Sequence, residues 1–155
     1  MQSFIQPHAV TVYVIHANKY LIIRRCCEVL NGTWQMVTGR IEEGEKAWEA
    51  AIREVKEETG LVPESLYSAD IVETFYIKAS DKIAFVPVFV AYVDSQKVKL
   101  CPSEHDAFEW VEYQEAKDRF VWFEQKRIIT HIHENFILKE PFAMHMIQEA
   151  PCSLK

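Results

Sequence analysis

The sequence has no excess of positive charge. Lys and Arg total 17 against 23 Asp and Glu, a formal net charge of −6. A nucleic-acid partner bound through its backbone needs a basic footprint, so this balance argues against one. It also means that an anionic substrate must be met by local cations and metal, not by the overall field. Long apolar runs are missing too. No stretch approaches the ~20 residues that cross a bilayer, and the N-terminus shows no basic-then-apolar leader, so no membrane partner is expected. Cysteine is sparse: Cys26, Cys27, Cys101 and Cys152 form no Cys-x-x-Cys pair. Adjacent cysteines rarely bridge, and reduced thiols in a cytoplasmic protein fit this usage. There are no internal repeats and no low-complexity linkers.

What is present is an ordinary globular composition, 49% hydrophobic and 26% charged over 155 residues. That length predicts one domain over 1–155 with a sizeable core. An extension from about residue 140 carries Pro141, Met144, Met146 and Pro151. It reads as a docked tail or a partner surface.

The most informative stretch is GRIEEGEKAWEAAIREVKEETGL, from Gly39 to Leu61. Lys46 to Thr59 contains neither Gly nor Pro, and Gly60 then Pro63 end the run, so a helix is predicted there. At 100° per residue, Ala47, Ala50, Ala51, Glu54, Glu57 and Glu58 share one arc. Trp48, Ile52 and Val55 share another. Alanines let a backbone approach closely, but glutamates at i, i+3 and i+4 repel one another. Such a group either lies on a solvated acidic face or holds a divalent cation. Hard cations such as Mg²⁺ take oxygen ligands and keep sites open for substrate phosphates.

The spacing favours the second reading. Gly39 is followed six positions on by Glu45, then by Arg53-Glu54-Val55-Lys56-Glu57-Glu58-Thr59-Gly60-Leu61. This resembles the Nudix box at every specified position. The resemblance implies an α/β fold, a mixed sheet sandwiched between helices, and a hydrolase that cleaves a pyrophosphate linkage with Mg²⁺, for which Mn²⁺ substitutes. It implies that Glu54, Glu57, Glu58 and the Thr38 carbonyl hold metal, and that Arg53 pairs with Glu45 to fix the loop. Gly39, Glu45 and Gly60 are then structural.

The segment before the box reads Trp34-Gln35-Met36-Val37-Thr38-Gly39, where many Nudix proteins have Trp-x-x-Pro-Gly-Gly. This wording resembles the subgroup acting on dihydroneopterin triphosphate and deoxynucleoside triphosphates. The expected products are a monophosphate and pyrophosphate. The alternatives are a dinucleoside tetraphosphate, ADP-ribose or nucleotide-sugar hydrolase, or a non-catalytic sensor of the same fold.

Elsewhere, alternation over Val10, Val12 and Val14 predicts a strand. A turn at Asn18-Lys19 then leads to a returning strand from Tyr20 to Arg25. Arg24 and Arg25 either end that strand at the surface or contact phosphate, as does Arg40 beside the box. Trp34 either stacks on a heterocycle with Gln35 beside it, or fills the core. Strands are expected from Leu66 to Lys78 and from Ile83 to Val93, with Pro87 marking an edge or a bulge. Tyr76 lies where dinucleoside-polyphosphate relatives carry a tyrosine, although packing explains it equally.

Glu104-His105 precedes the strand Ala107 to Val111. By resemblance, Glu104 supplies a further metal ligand or the general base, with Glu109 and Glu112 weaker candidates. A short helix, Gln114 to Arg119, and a longer one, Phe123 to Phe136, follow. Phe120, Trp122 and Phe123 either wall the pocket or pack in the core. His131 and His133 lie two apart on a helix, a poor chelate. The partner expected is a small polyphosphate, and the chain is a monomer or a homodimer.

Overall fold

The computed structural model describes residues 4–149. Strand β1 (Ala9–His16) is central. It turns through Ala17 and Asn18, both at positive φ (47° and 63°), into β2 (Lys19–Arg25). The turn lies one residue earlier than the sequence suggests, because His16 already pairs with Lys19. A two-residue hairpin loop matches strand twist when both central residues take positive φ. Here Ala17 accepts that conformation.

Two short strands follow, β3 (Trp34–Gln35) and β4 (Val37–Arg40). Helix α1 (Ala47–Thr59) comes next, then β5 (Ser65–Ile77), β6 (Lys82–Tyr92) and β7 (His105–Val111). Helices α2 (Tyr113–Arg119) and α3 (Phe123–Ile132) precede a last strand, β8 (Met146–Glu149).

The sheet order is β3-β2-β1-β6-β5-β8, with β4 along the first half of β1 and β7 along β2. Strands β1 and β6 run parallel and the other pairs antiparallel, so the sheet is mixed. Alternation along β1 then builds two cores. Val10, Val12 and Val14 pack with Ala50, Ala51 and Val55 of α1. Tyr13 and Ile15 pack on the other face with Ile128, Ile129, Ile132 and Phe136. This is the predicted sandwich of helices around a mixed sheet.

Pro87 lies where the pairing of β5 and β6 slips, between Ser68↔Phe89 and Val72↔Pro87, so the expected bulge is present. The last helix differs from expectation. It is α-helical only to Ile132 and continues as one π-helical turn, His133–Ile137. That turn places the His133 ring flat on Tyr113, centroids 4.1 Å apart. It also sets the Phe136 carbonyl to accept from the Tyr92 hydroxyl at 2.7 Å. The extension from about residue 140 docks: β8 pairs along β5. Pro151 and Cys152 lie outside the described residues.

Helix α1 is anchored at both ends. At its start the Glu49 carboxylate accepts from the Lys46 N–H at 2.8 Å. At its end Gly60 takes φ 70° and donates to the Lys56 carbonyl at 2.9 Å. A Cβ at Gly60 would sit 3.3 Å from Lys99 Cβ as well as in a left-handed conformation. Gly60→Ala is expected to destabilise the fold by about 1–2 kcal/mol. A thermal melt should show a fall of a few degrees, at about 2–4 °C per kcal/mol.

Candidate active site

The box places its carboxylates where α1 meets β4. Ala50 and Ala51 are fully buried and bring the helix close to the sheet. A Cβ on Gly39 would lie 1.9 Å from Glu54 Cδ, so the glycine makes room for that carboxylate. Arg53 organises the group. It donates to both oxygens of Glu45 at 2.8 and 3.0 Å, so the expected pair is present. It also donates to Glu54 at 2.8 Å, to Glu57 at 3.1 Å and to the Arg40 carbonyl at 2.8 Å. Glu45 in turn accepts from the Glu42 N–H at 2.9 Å, which closes the loop before the helix. The Arg53 guanidinium is held more firmly protonated than usual, first by its bonds to Glu45.

Glu58 is the opposite case. It is 5% exposed, and its Oε2 has no hydrogen-bond partner among the described residues. Burial, then the charges of Glu54 and Glu104, push its carboxyl up to about 9, against a lowering by Arg25. Burial also raises Glu54, opposed by Arg53 and reinforced by Glu57 and Glu104.

The loop carrying Glu104 is held by backbone bonds on two sides. The Cys26 N–H donates to the Glu104 carbonyl at 2.9 Å, and the Cys101 N–H donates to the Glu58 carbonyl at 3.3 Å. Beside it His105 is buried, with its charged form disfavoured chiefly by burial. Gln35 bridges it to Arg25: its Oε1 accepts from Arg25 at 3.4 Å and its Nε2 lies 3.4 Å from His105 Nε2.

As they stand, these acids do not converge. Among the described residues, no three His, Cys, Asp or Glu side chains form a ready-made metal cage. The donor set still fits a hard divalent cation. It is all oxygen, it repels itself, and it includes a buried carboxylate oxygen without a partner, which a cation would satisfy.

The basic pair divides, as alternate strand residues do. Arg25 acts on Glu58 and His105. Arg24 instead forms a two-point pair with Asp106 at 2.7 and 3.1 Å. The guanidiniums of Arg24 and Arg119 lie 5.8 and 5.1 Å from the centre of the Trp34 ring. Glu109 pairs with Arg119 at 3.0 Å and Glu112 with Lys19 at 3.8 Å. His131 Nε2 lies 2.7 Å from the Ala69 carbonyl while His133 stacks on Tyr113, so the two histidines face different neighbours.

Next to the carboxylates opens a cleft of about 620 Å³. Thr38, Gly39 and Arg40 line the side nearest the box. Phe75, Tyr76, Trp122 and Phe123 give it aromatic walls. Tyr76 is mostly exposed and donates to Asp81 at 2.8 Å. Phe120 is core, edge-on to Tyr13. Trp34, Arg24 and Arg25 do not line this cleft.

The cleft and site residues that sequence does not single out include His105, Thr11, Glu73, Glu124 and Gln125. The Glu104-His105 pair points at the first. Nothing local marks the others, whose positions depend on strand and helix packing.

A NUDIX domain model matches residues 6–132, and the chain belongs to that family. It is 38% identical over 104 residues to an octanoyltransferase of Myxococcus xanthus, covering 65% of this chain and 28% of that protein. It is 32% identical over 84 residues to a bis(5'-nucleosyl)-tetraphosphatase [asymmetrical] of Caenorhabditis elegans, covering 54% of this chain and 61% of that one. The chain therefore spans less than two thirds of the length of these curated relatives. Among solved structures, the E. coli dihydroneopterin triphosphate pyrophosphohydrolase superposes with TM-score 0.68 at 22% identity, covering 84% of this chain and 99% of that one. At that identity the likeness shows the fold.

Proposed function

We propose that the chain is a divalent-cation-dependent pyrophosphohydrolase that converts a nucleoside or pterin triphosphate to its monophosphate and pyrophosphate. The observation that carries this is the buried Glu58 oxygen, without a partner among the described residues and acted on by the charges of Glu54 and Glu104, with an aromatic cleft opening past Thr38 and Gly39, against which Glu54 lies. Burying a carboxylate without a partner is unfavourable, and a purely structural site has no use for three mutually repelling acids.

Glu54, Glu57 and Glu58, with the Thr38 carbonyl and Glu104, would hold Mg²⁺ or Mn²⁺. When bound, the cation neutralises phosphate charge and makes a nearby water more acidic. The chain's own residues do the rest. Arg53 fixes the box acids, and Gly39 leaves Glu54 its place. Arg40 and Arg25 bring positive charge to the phosphate side. Water attacks phosphorus in line while Glu104 or a helix glutamate takes its proton, so catalysis is mainly positioning and charge stabilisation.

A second reading has its own support. Tyr76 lines the cleft, and one relative is named as a bis(5'-nucleosyl)-tetraphosphatase. Cleavage of a dinucleoside tetraphosphate uses the same acids.

A turnover panel with Mg²⁺ separates the readings. It holds deoxynucleoside triphosphates, dihydroneopterin triphosphate, diadenosine tetraphosphate and ADP-ribose, with pyrophosphate and phosphate assayed separately. Pyrophosphate from a triphosphate is expected. Turnover of diadenosine tetraphosphate alone would support the second reading. Tight binding without turnover of any compound would make the protein a sensor.

A further inference from the structure

The floor of the cleft carries polar groups that the phosphate chemistry does not use. Glu73 is 7% exposed, and its Oε2 accepts from the Thr11 hydroxyl at 2.8 Å. Among the described residues, Glu73 Oε1 has no hydrogen-bond partner. Gln125 is 8% exposed and its Oε1 has none either. Both residues line the cleft together with Thr11. The other acid there, Glu124, is already engaged by Arg127. No cation is among the groups that act on Glu73. Burial raises its carboxyl, with Glu124 adding to the rise and the Thr11 bond opposing it.

We infer that Glu73, with Gln125 beside it, reads the substrate's headgroup, and that this headgroup presents two adjacent N–H donors, the 2-amino-4-oxo edge shared by guanine and pterins. The inference rests on the pyrophosphohydrolase reading and names the substrate class within it. A carboxylate offers only acceptors. A ring N–H next to an exocyclic amine satisfies both of its oxygens and supplies what the cleft lacks. The pairing edges of adenine and cytosine set a ring-nitrogen lone pair against one of those oxygens. Gln125 Oε1 is a further acceptor for the amine. Phe75, Trp122 and Phe123 supply apolar surface for the faces of a bicyclic ring, and the cleft volume is ample for it.

The register connects this floor to the box. Thr11 is paired with Thr38 across β1 and β4, and Val10 with Gly39. Paired residues of an antiparallel ladder lie about 5 Å apart. A headgroup on Glu73 therefore leaves its phosphates one strand away, toward Gly39 and Glu54.

The test is kcat and KM with Mg²⁺ for dGTP, dihydroneopterin triphosphate, dATP and dCTP, in wild type and in Glu73→Gln. Wild type is expected to favour dGTP or dihydroneopterin triphosphate over dATP and dCTP by at least about tenfold in kcat/KM, the scale of one well-placed hydrogen bond. The better of the first two names the source of the edge. Glu73→Gln is expected to raise KM for that substrate about tenfold with kcat nearly unchanged, and to narrow the preference. Thr11→Val, which replaces the hydroxyl bonded to Glu73 by a methyl of similar size on the cleft lining, should shift KM in the same direction if Glu73→Gln does not fold. A preference for dATP or dCTP, or a preference untouched by both variants, would overturn the inference. If wild type turns over nothing, the hydrolase reading fails by itself. Calorimetric binding of GMP and neopterin monophosphate against AMP then still decides the headgroup, tighter AMP counting against Glu73.

Discussion

Glu58→Gln should make the metal-free protein more stable at about pH 8 while removing turnover. The folded protein keeps a proton on Glu58 up to about 9, whereas an unfolded chain releases it near 4.5. Between those values the folded state binds more protons than the unfolded one, so stability falls as pH rises. The stabilising contribution is complete below about 4.5 and lost toward about 9. At about 1.4 kcal/mol per pH unit, the roughly 3.5 pH units between 4.5 and 8 make the penalty near pH 8 of order 5 kcal/mol, or roughly 10–20 °C in melting temperature for a chain of this size. Gln carries no charge and does not incur it. Thermal melts without metal should show wild type losing stability from about pH 5.5 to 8.5 and the variant losing distinctly less, the remainder coming from Glu54 and Glu73, whose carboxyls burial also raises. Added Mg²⁺ should raise the wild-type melting temperature more at the higher pH, because a cation favours the deprotonated acid. Turnover in the variant should fall by about 10²–10³-fold or more, the scale for losing one charge-positioning group. A variant less stable than wild type at pH 8 would mean that Glu58 is not held unfavourably.

Gly39→Ala should separate activity from stability in another way. The new methyl would meet the far end of the Glu54 side chain, at 1.9 Å from Cδ and 2.2 Å from Oε1. Glu54 can swing aside, so the fold should lose less than about 1 kcal/mol, as for changes that relax freely. In moving, Glu54 leaves the carboxylate position that Arg53 secures. Activity depends on placement to within a fraction of an ångström, so kcat/KM should fall by about 10²-fold or more with an almost unchanged melt. Full activity with an intact fold would show that the place of Glu54 does not matter.

The box was legible because its chemistry is local. One helix sets Glu54, Glu57 and Glu58 on one arc, and Gly39, Glu45 and Arg53 lie close in sequence. The alternation of Val10, Val12 and Val14 likewise marked the strand that both cores share. Less local features were harder to read. Ala17 takes positive φ with no glycine to signal it, so the sequence points to a turn one residue later than the true one. The π turn at His133 follows from stacking on Tyr113, twenty positions earlier in the chain. Arg24 and Arg25 looked equivalent until the pleat sent them to different partners. Glu73 and Gln125 come from β5 and α3, and only the packed sandwich brings them to one cleft.

The most direct test of the metal-site account is kcat/KM of Glu57→Gln with Mg²⁺ on the best triphosphate of the panel. The Glu57 side chain is 58% exposed and, among the described residues, makes one ion pair, to Arg53. Its replacement therefore has little to do with folding, and lost activity cannot be ascribed to a damaged core. A fall of about 10²-fold or more, with the melting curve preserved, is the predicted result. Turnover within a few fold of wild type would contradict the assignment of the helix glutamates.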